Sequence, residues 1–216
     1  MKTKDSRPSG KARREIAAAA TPPNLQTILA TTDFSDESLA GVRYAVALAE
    51  KLKAAVALLH VVEPLSWMDN METRKDAELV ALARAQLATL AKREVQGDGT
   101  VTSSVRTGKP FHEITTAARA GATDLIVIAT HGHTGVKRAL LGSTAERVVR
   151  HAPCPVLTVP ARERPRRAGK TPPFKLKKIL VPIDFSNLSK AALPYAVLLA
   201  GHCGAELLLL HIWKAH

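Results

Sequence analysis

The sequence predicts an α/β fold built on a parallel sheet, and three observations carry that expectation. Short apolar runs alternate with longer segments whose apolar residues recur at helical spacing. Two of the runs, AAVALLHVVE (54–63) and DLIVIAT (124–130), are almost continuously apolar, as strands covered on both faces must be. The order of segments is strand-helix repeated, the pattern that gives a parallel sheet joined by right-handed crossovers.

TILATTD (27–33) is a short apolar run ending in polar residues, read as the first buried strand. DESLAGVRYAVALAEKL (36–52) places apolar residues at 39, 42, 45, 46, 48, 49 and 52. That is a helix, with Ser35 as its N-cap and Asp36 and Glu37 favouring the positive end of its dipole. The run at 54–63 is the second strand, followed by a loop with Pro64 and Trp67 and a helix over 72–95. Gly97, Asp98 and Gly99 turn the chain into TVTSSVRTG (100–108), an alternating and more exposed strand. Pro110 opens a short helix to Ala120, since proline suits the first helical turn. After the strand at 124–130 come a glycine-bearing loop, a helix from Ser143 to His151, and a last strand, PVLTVP (155–160).

The formal net charge of +12 invites a nucleic-acid partner, so its location matters. Residues 1–25 carry six cations against two acids, and residues 161–178 carry eight against one. These two Pro/Arg/Lys segments hold +11 of the charge, and the folded-looking remainder is nearly neutral. We read 1–25 as a basic disordered tail and 161–174 as a basic linker. No reading helix or aromatic platform is present, so a specific nucleic-acid site is excluded from the expectations. No apolar run is long enough to span a bilayer, and the N-terminal stretch lacks the apolar segment of a signal peptide. Cys154 and Cys203 form no disulfide framework. A cytoplasmic protein with reduced thiols, without membrane contact, is expected.

An internal repeat relates ILATTDFSDESLAGVRYAVALAEKLKAAVALLHV, from Ile28, to ILVPIDFSNLSKAALPYAVLLAGHCGAELLLLHI, from Ile179. The offset is 151 residues without a gap. Asp33 and Asp184, Phe34 and Phe185, Ser35 and Ser186, Tyr44 and Tyr195, and His60 and His211 fall in step. A spacing of that size marks a duplicated domain. The domain expected at 26–160 is complete. The repeat at 175–216 covers one βαβ unit, an incomplete second copy as of a tandem protein cut short, with no counterpart of the glycine loop. Such a unit does not cover both faces of its strands, so it is expected to pack on a sheet edge or join another chain.

The loop in ATHGHTGVKRALLGSTAERV (129–148) carries glycines at 132, 135 and 142 between a buried strand and a helix. It is neither a Walker A motif nor G-x-G-x-x-G. Gly169, Lys170 and Thr171 imitate the end of the former, but Arg164 stands where its first glycine belongs. Two readings of the loop stay open. In one the glycines only turn, and Ser143 to Glu146 form a capping box. In the other the bare amides of the helix N-terminus take a phosphate, with Lys137 and Arg138 adding charge. His131 and His133 lack a third ligand for a metal. Ser143, His131 and Asp33 lack the nucleophile elbow of a hydrolase. His60 reads as a hydrogen-bonded core histidine, and Cys154 as packing.

Together, TTDFSDES, LLHVVEP, the glycine loop and HAPCPVLTVP resemble the universal stress protein family. Its nucleotide signature is Gly-x-x-Gly, nine residues, then Gly with Ser or Thr. Gly132, Gly142 and Ser143 match it, while Ala129 replaces the first glycine and is expected to strain the close approach of the backbone. The resemblance implies a Rossmann-like open five-stranded parallel sheet of order 3-2-1-4-5, with helices on both faces. It implies ATP, with Mg2+, as ligand. Asp33, with Thr32 beside it, meets the ribose or a metal-bridged phosphate, and the Val61 main chain meets the adenine edge. Ala129, His131 and Gly132 border the ribose and phosphates, and Gly142, Ser143 and Thr144 bind phosphates. It further implies a homodimer through the last strand of the complete domain. The expected role is an ATP-binding regulatory or stress-response module, not an enzyme, with one nucleotide per chain. The alternatives are a nucleotide-independent dimerisation or interaction module and, behind it, a slow ATPase.

Overall fold

The structure is a computed structural model, and it describes residues 23–64, 73–94, 100–130, 141–160 and 175–213. The expectations for the basic tail and linker, for the loop at Trp67, and for His131, Gly132, Lys137 and Arg138 lie outside these residues. The chain forms two compact units, one within Leu25–Phe174 and one including Lys175–His216.

The first unit contains β1 (Thr27–Thr31), α1 (Asp36–Leu52), β2 (Ala55–Val62), α2 (Thr73–Glu94), β3 (Val101–Thr107), α3 (Pro110–Ala120), β4 (Leu125–Ala129), α4 (Ser143–His151) and β5 (Val156–Val159). Its five strands are all parallel, in the order β3-β2-β1-β4-β5. This is the order the resemblance implied, and it makes β1 and β4 neighbours. Every residue of β4 is buried, as its unbroken apolar sequence requires.

Alternate strand residues serve opposite faces. Leu29, Leu59, Ile126 and Ile128 point to one side and pack with Ile114 and Ala118 of α3 and Ala145 and Val148 of α4. Helices α1 and α2 contact the sheet from the other side, where Ala30, Leu58 and Val127 are buried. Each fully buried Leu or Ile contributes roughly 2 kcal/mol of transfer free energy. Two polar ties reinforce this arrangement, one at the start of the central strand and one between the helices. Asp124 accepts the main-chain amides of Gln26 and Thr27 at 2.8 Å each. Arg43 of α1 donates to the nearly buried Glu94 of α2 at 3.0 Å.

The second unit contains β6 (Lys178–Pro182), α5 (Asn187–Ala191), α6 (Leu193–Cys203) and β7 (Glu206–Leu210). The parallel pair β6-β7 repeats the register of β1 with β2. Where α1 runs unbroken, its counterpart divides at Ala192, because Pro194 lies in the first turn of α6. A small cluster of Val181, Ile183 and Ala196 packs against Ile179, Leu193 and Leu207. Leu180, Leu208 and Leu210 lie exposed. In the complete domain their counterparts 151 residues earlier are Leu29, Ala57 and Leu59, which pack in the cluster with α3 and α4.

Candidate functional site

A crevice of about 270 Å³ opens at the carboxyl ends of β1, β2 and β4. Parallel α/β sheets form their ligand sites at this place, where strand order reverses. Of the nine residues singled out from the sequence, Thr32, Asp33, Val61, Ala129, Gly142, Ser143 and Thr144 line it together. His131 and Gly132 lie outside the described residues. Leu59, Ile114 and Ile128 continue the apolar core into the wall, and Asp33 and Glu63 are the charged side chains among the described lining residues.

The β1 end of the crevice is a hydrogen-bonded corner. Thr32 N–H donates to the Leu59 carbonyl at 3.0 Å, continuing the strand ladder. Phe34 then adopts φ 65°, a left-handed conformation that costs a residue with a Cβ roughly 1–2 kcal/mol. Asp33 Oδ1 accepts both the amide and the hydroxyl of Ser35, at 3.0 and 2.5 Å. Ser35 in turn caps α1, its Oγ accepting Ser38 N–H at 3.2 Å, as expected from the sequence. The Ser38 hydroxyl has one proton, which goes to the Ser35 carbonyl at 3.0 Å. It therefore accepts from the Thr32 hydroxyl at 2.9 Å and from Asp33 N–H at 3.2 Å. Thr32 Oγ1 is left to accept Phe34 N–H at 2.9 Å.

His60 closes this corner from behind. Its Nδ1 lies 2.8 Å from the Thr32 carbonyl, and its ring is 4.4 Å from that of Phe34. A carbonyl only accepts, so Nδ1 carries the proton. The expected hydrogen bond is present and its partner is the backbone beside Asp33, but the ring is half-buried rather than in the core.

The β4 end corrects one expectation. The capping box is not formed: α4 begins at Ser143, and its N-cap is Gly142, with no side-chain cap. Gly142 N–H donates to the Thr130 carbonyl at 2.6 Å, and its own carbonyl accepts Glu146 N–H at 2.9 Å. That bond to the β4 terminus moves the cap one residue ahead of where Ser-x-x-Glu places it. Among the described residues, the first turn of α4 meets the crevice without a side-chain cap from its N-cap residue. Ala129 lines the crevice, and alternation along β4 puts its methyl on the sheet face opposite Ile128, where a Cβ placed on Gly41 of α1 would lie 3.7 Å from it.

Sequence reasoning missed Glu63, Pro110, Ser38 and Thr130 as wall residues. Glu63 and Pro110 follow the ends of β2 and β3, so strand order alone could have found them. Cys154 packs against the α3/α4 core cluster; burial, with the nearby Asp124 charge, raises its thiol pKa, as expected of a packing cysteine. Among the described residues no group of three metal-ligating side chains occurs and no helix is long and apolar enough to cross a membrane.

The profile of the universal stress protein family matches residues 24–160 and again 175–216. Universal stress protein MJ0531 of Methanocaldococcus jannaschii is 35% identical over 61% of this chain and 80% of its own. A universal stress protein of Mycolicibacterium smegmatis is 27% identical over 86% of this chain, which spans 63% of that relative's length. Among solved structures, the protein MJ0577, the subject of a structure-based assignment of biochemical function, superposes with a TM-score of 0.58 at 27% identity. That match covers 64% of this chain and 97% of MJ0577. With both stretches matched, together most of its length, the chain belongs to the universal stress protein family.

Proposed function

We propose that the chain binds ATP, with Mg2+, in the crevice between β1, β2 and β4, and that occupancy governs its association with a second copy or another protein. One observation carries this reading: the residues drawn from three separate stretches, Thr32 and Asp33, Val61, and Ala129 with Gly142 to Thr144, line a single crevice. The groups present fit a nucleotide. Leu59, Val61, Ile114 and Pro110 offer an apolar wall for a base. The uncapped first turn of α4 offers amides and a partial positive charge to phosphate. Asp33 has a carboxylate suited to a ribose hydroxyl or to a hydrated cation. The metal supplies counter-charge to the phosphates. The family signature adds His131 and Gly132 to the proposed set. A second copy pairs along β5, which is an outer strand of the sheet. The module acts in the stress response through these nucleotide-linked states, without a catalytic residue.

Thermal unfolding of the full chain with millimolar ATP and magnesium tests the reading. Ligand at a hundred times its Kd stabilises by about 2.7 kcal/mol, a shift of several degrees. Asp33→Ala is expected to remove most of that shift. An unchanged melting temperature for the wild-type chain at these concentrations would sink the proposal.

A further inference from the structure

We propose that His60 is a positioning residue for the crevice, holding Asp33 in the orientation that a bound nucleotide meets. This rests on the nucleotide reading above. Asp33 sits between two residues that His60 grips at once: the carbonyl of Thr32 accepts its Nδ1–H at 2.8 Å, and the ring of Phe34 lies 4.4 Å from its own. His60 is absent from the crevice wall, so its effect passes through Asp33. The backbone between those two grips needs support, since Phe34 holds a left-handed φ of 65°.

The second copy is an internal control. Phe185 has the same φ of 65°. His211 Nδ1–H donates to the Ile183 carbonyl at 2.6 Å, and its ring lies 4.7 Å from that of Phe185. Ser186 N–H donates to Asp184 Oδ1 at 2.9 Å. Here Phe185 is 62% exposed, and Ile183 replaces Thr32, so the hydroxyl links through Thr32 are missing. The corner keeps its shape all the same. The histidine grip, the aspartate-serine turn and the Ser186–Ser189 bonds are what the two corners share, and the links through a threonine hydroxyl are not required. In the complete domain that same grip is what aims Asp33 at the crevice.

Binding of a fluorescent ATP analogue to full-length variants tests this, alongside amide hydrogen exchange at Ser35. His60→Ala is expected to weaken binding about tenfold and to speed exchange of Ser35 N–H, from loss of a hydrogen bond and a ring contact. His60→Asn, whose amide restores the donor near the Nδ1 position, is expected to recover most of the affinity. His211→Ala makes the matched cut in the second unit and leaves affinity unchanged. In an Asp33→Ala background, His60→Ala is expected to add less than about twofold, because the two act as one. Should His60→Ala not fold, Phe34→Leu keeps the hydrogen bond, drops the ring contact and is expected to cost about threefold. Equal affinity of wild type, His60→Ala and Phe34→Leu, or losses from His60 and Asp33 that multiply, overturns the proposal. If the wild-type chain binds no nucleotide, the proposed function fails by itself; unchanged Ser35 exchange in His60→Ala then overturns the positioning role, and faster exchange supports it.

Discussion

Lys53 and Gly204, 151 residues apart, end equivalent helices in the same left-handed conformation, with φ 57° and 65°. Each donates its amide to the carbonyl four residues back, Lys53 to Ala49 and Gly204 to Ala200. Glycine takes this conformation without the Cβ penalty that lysine bears. Lys53→Gly is expected to stabilise the complete domain by roughly 0.5–1 kcal/mol. Gly204→Ala is expected to destabilise the second unit by about 1 kcal/mol; a Cβ there meets nothing within 4 Å, so the cost is conformational. Urea unfolding of each variant, followed by amide exchange in the relevant unit, checks both signs.

Gly108 joins β3 to α3 at φ 151°, and a Cβ there would lie 2.8 Å from Glu113 Cγ and 3.0 Å from its Oε1. Glu113 is not free to move aside without cost, since Arg106 donates to it at 3.1 Å. Gly108→Ala is expected to lower stability by about 2 kcal/mol, from backbone strain and crowding together. Adding Glu113→Ala relieves the crowding alone, so the double variant recovers only part of the loss. Full recovery in denaturant melts would show that the backbone conformation carries no strain.

Asp124 precedes β4 and gathers the amides of Gln26 and Thr27 at the start of β1. Asp124→Ala leaves both donors without that acceptor and is expected to cost about 1–3 kcal/mol. Amide exchange at Thr27 rises in the same variant if the account holds.

The Asp184 carboxyl is held well below the usual carboxylate range, chiefly by the Ser186 side chain, then by Ser189 and the Ser186 amide. Its ionised form is therefore the one the folded corner favours. That contribution is present above the ordinary aspartate value of about 3.9 and is lost as pH falls below it towards the lowered value. An NMR titration is expected to place the Asp184 midpoint under the ordinary value. Asp184→Asn is expected to differ from wild type in Ser186 exchange at neutral pH and to converge with it in acid. A midpoint near 3.9 would contradict the corner geometry.

Much of this was readable from residue order, for definite reasons. The unbroken apolar runs at 54–63 and 124–130 required two-sided burial, and the helical spacing at 36–52 required a core face, so the layered fold followed from burial alone. Ser35 was found as a cap because its side chain acts locally, within three residues. The α4 cap was misplaced because a tertiary bond, Gly142 N–H to the Thr130 carbonyl, outranked the local Ser143-to-Glu146 pattern. The grip of His60 on the Thr32 carbonyl spans 28 residues and two strand ends, and no local pattern announces it. The direction of the Ala129 methyl depends on strand parity at β4 and on which helix covers that face, and Gly41 shows the answer only in three dimensions.

That methyl has a consequence for how such chains are recognised. A search that insists on glycine at position 129 would discard this protein for a difference located behind the sheet. Position 129 lies against position 41 of α1, where an added Cβ would meet the Ala129 methyl at 3.7 Å, an ordinary contact distance, so the pair has room for a methyl on each side. A survey of sequences should therefore admit alanine at 129, whether glycine or alanine stands at 41.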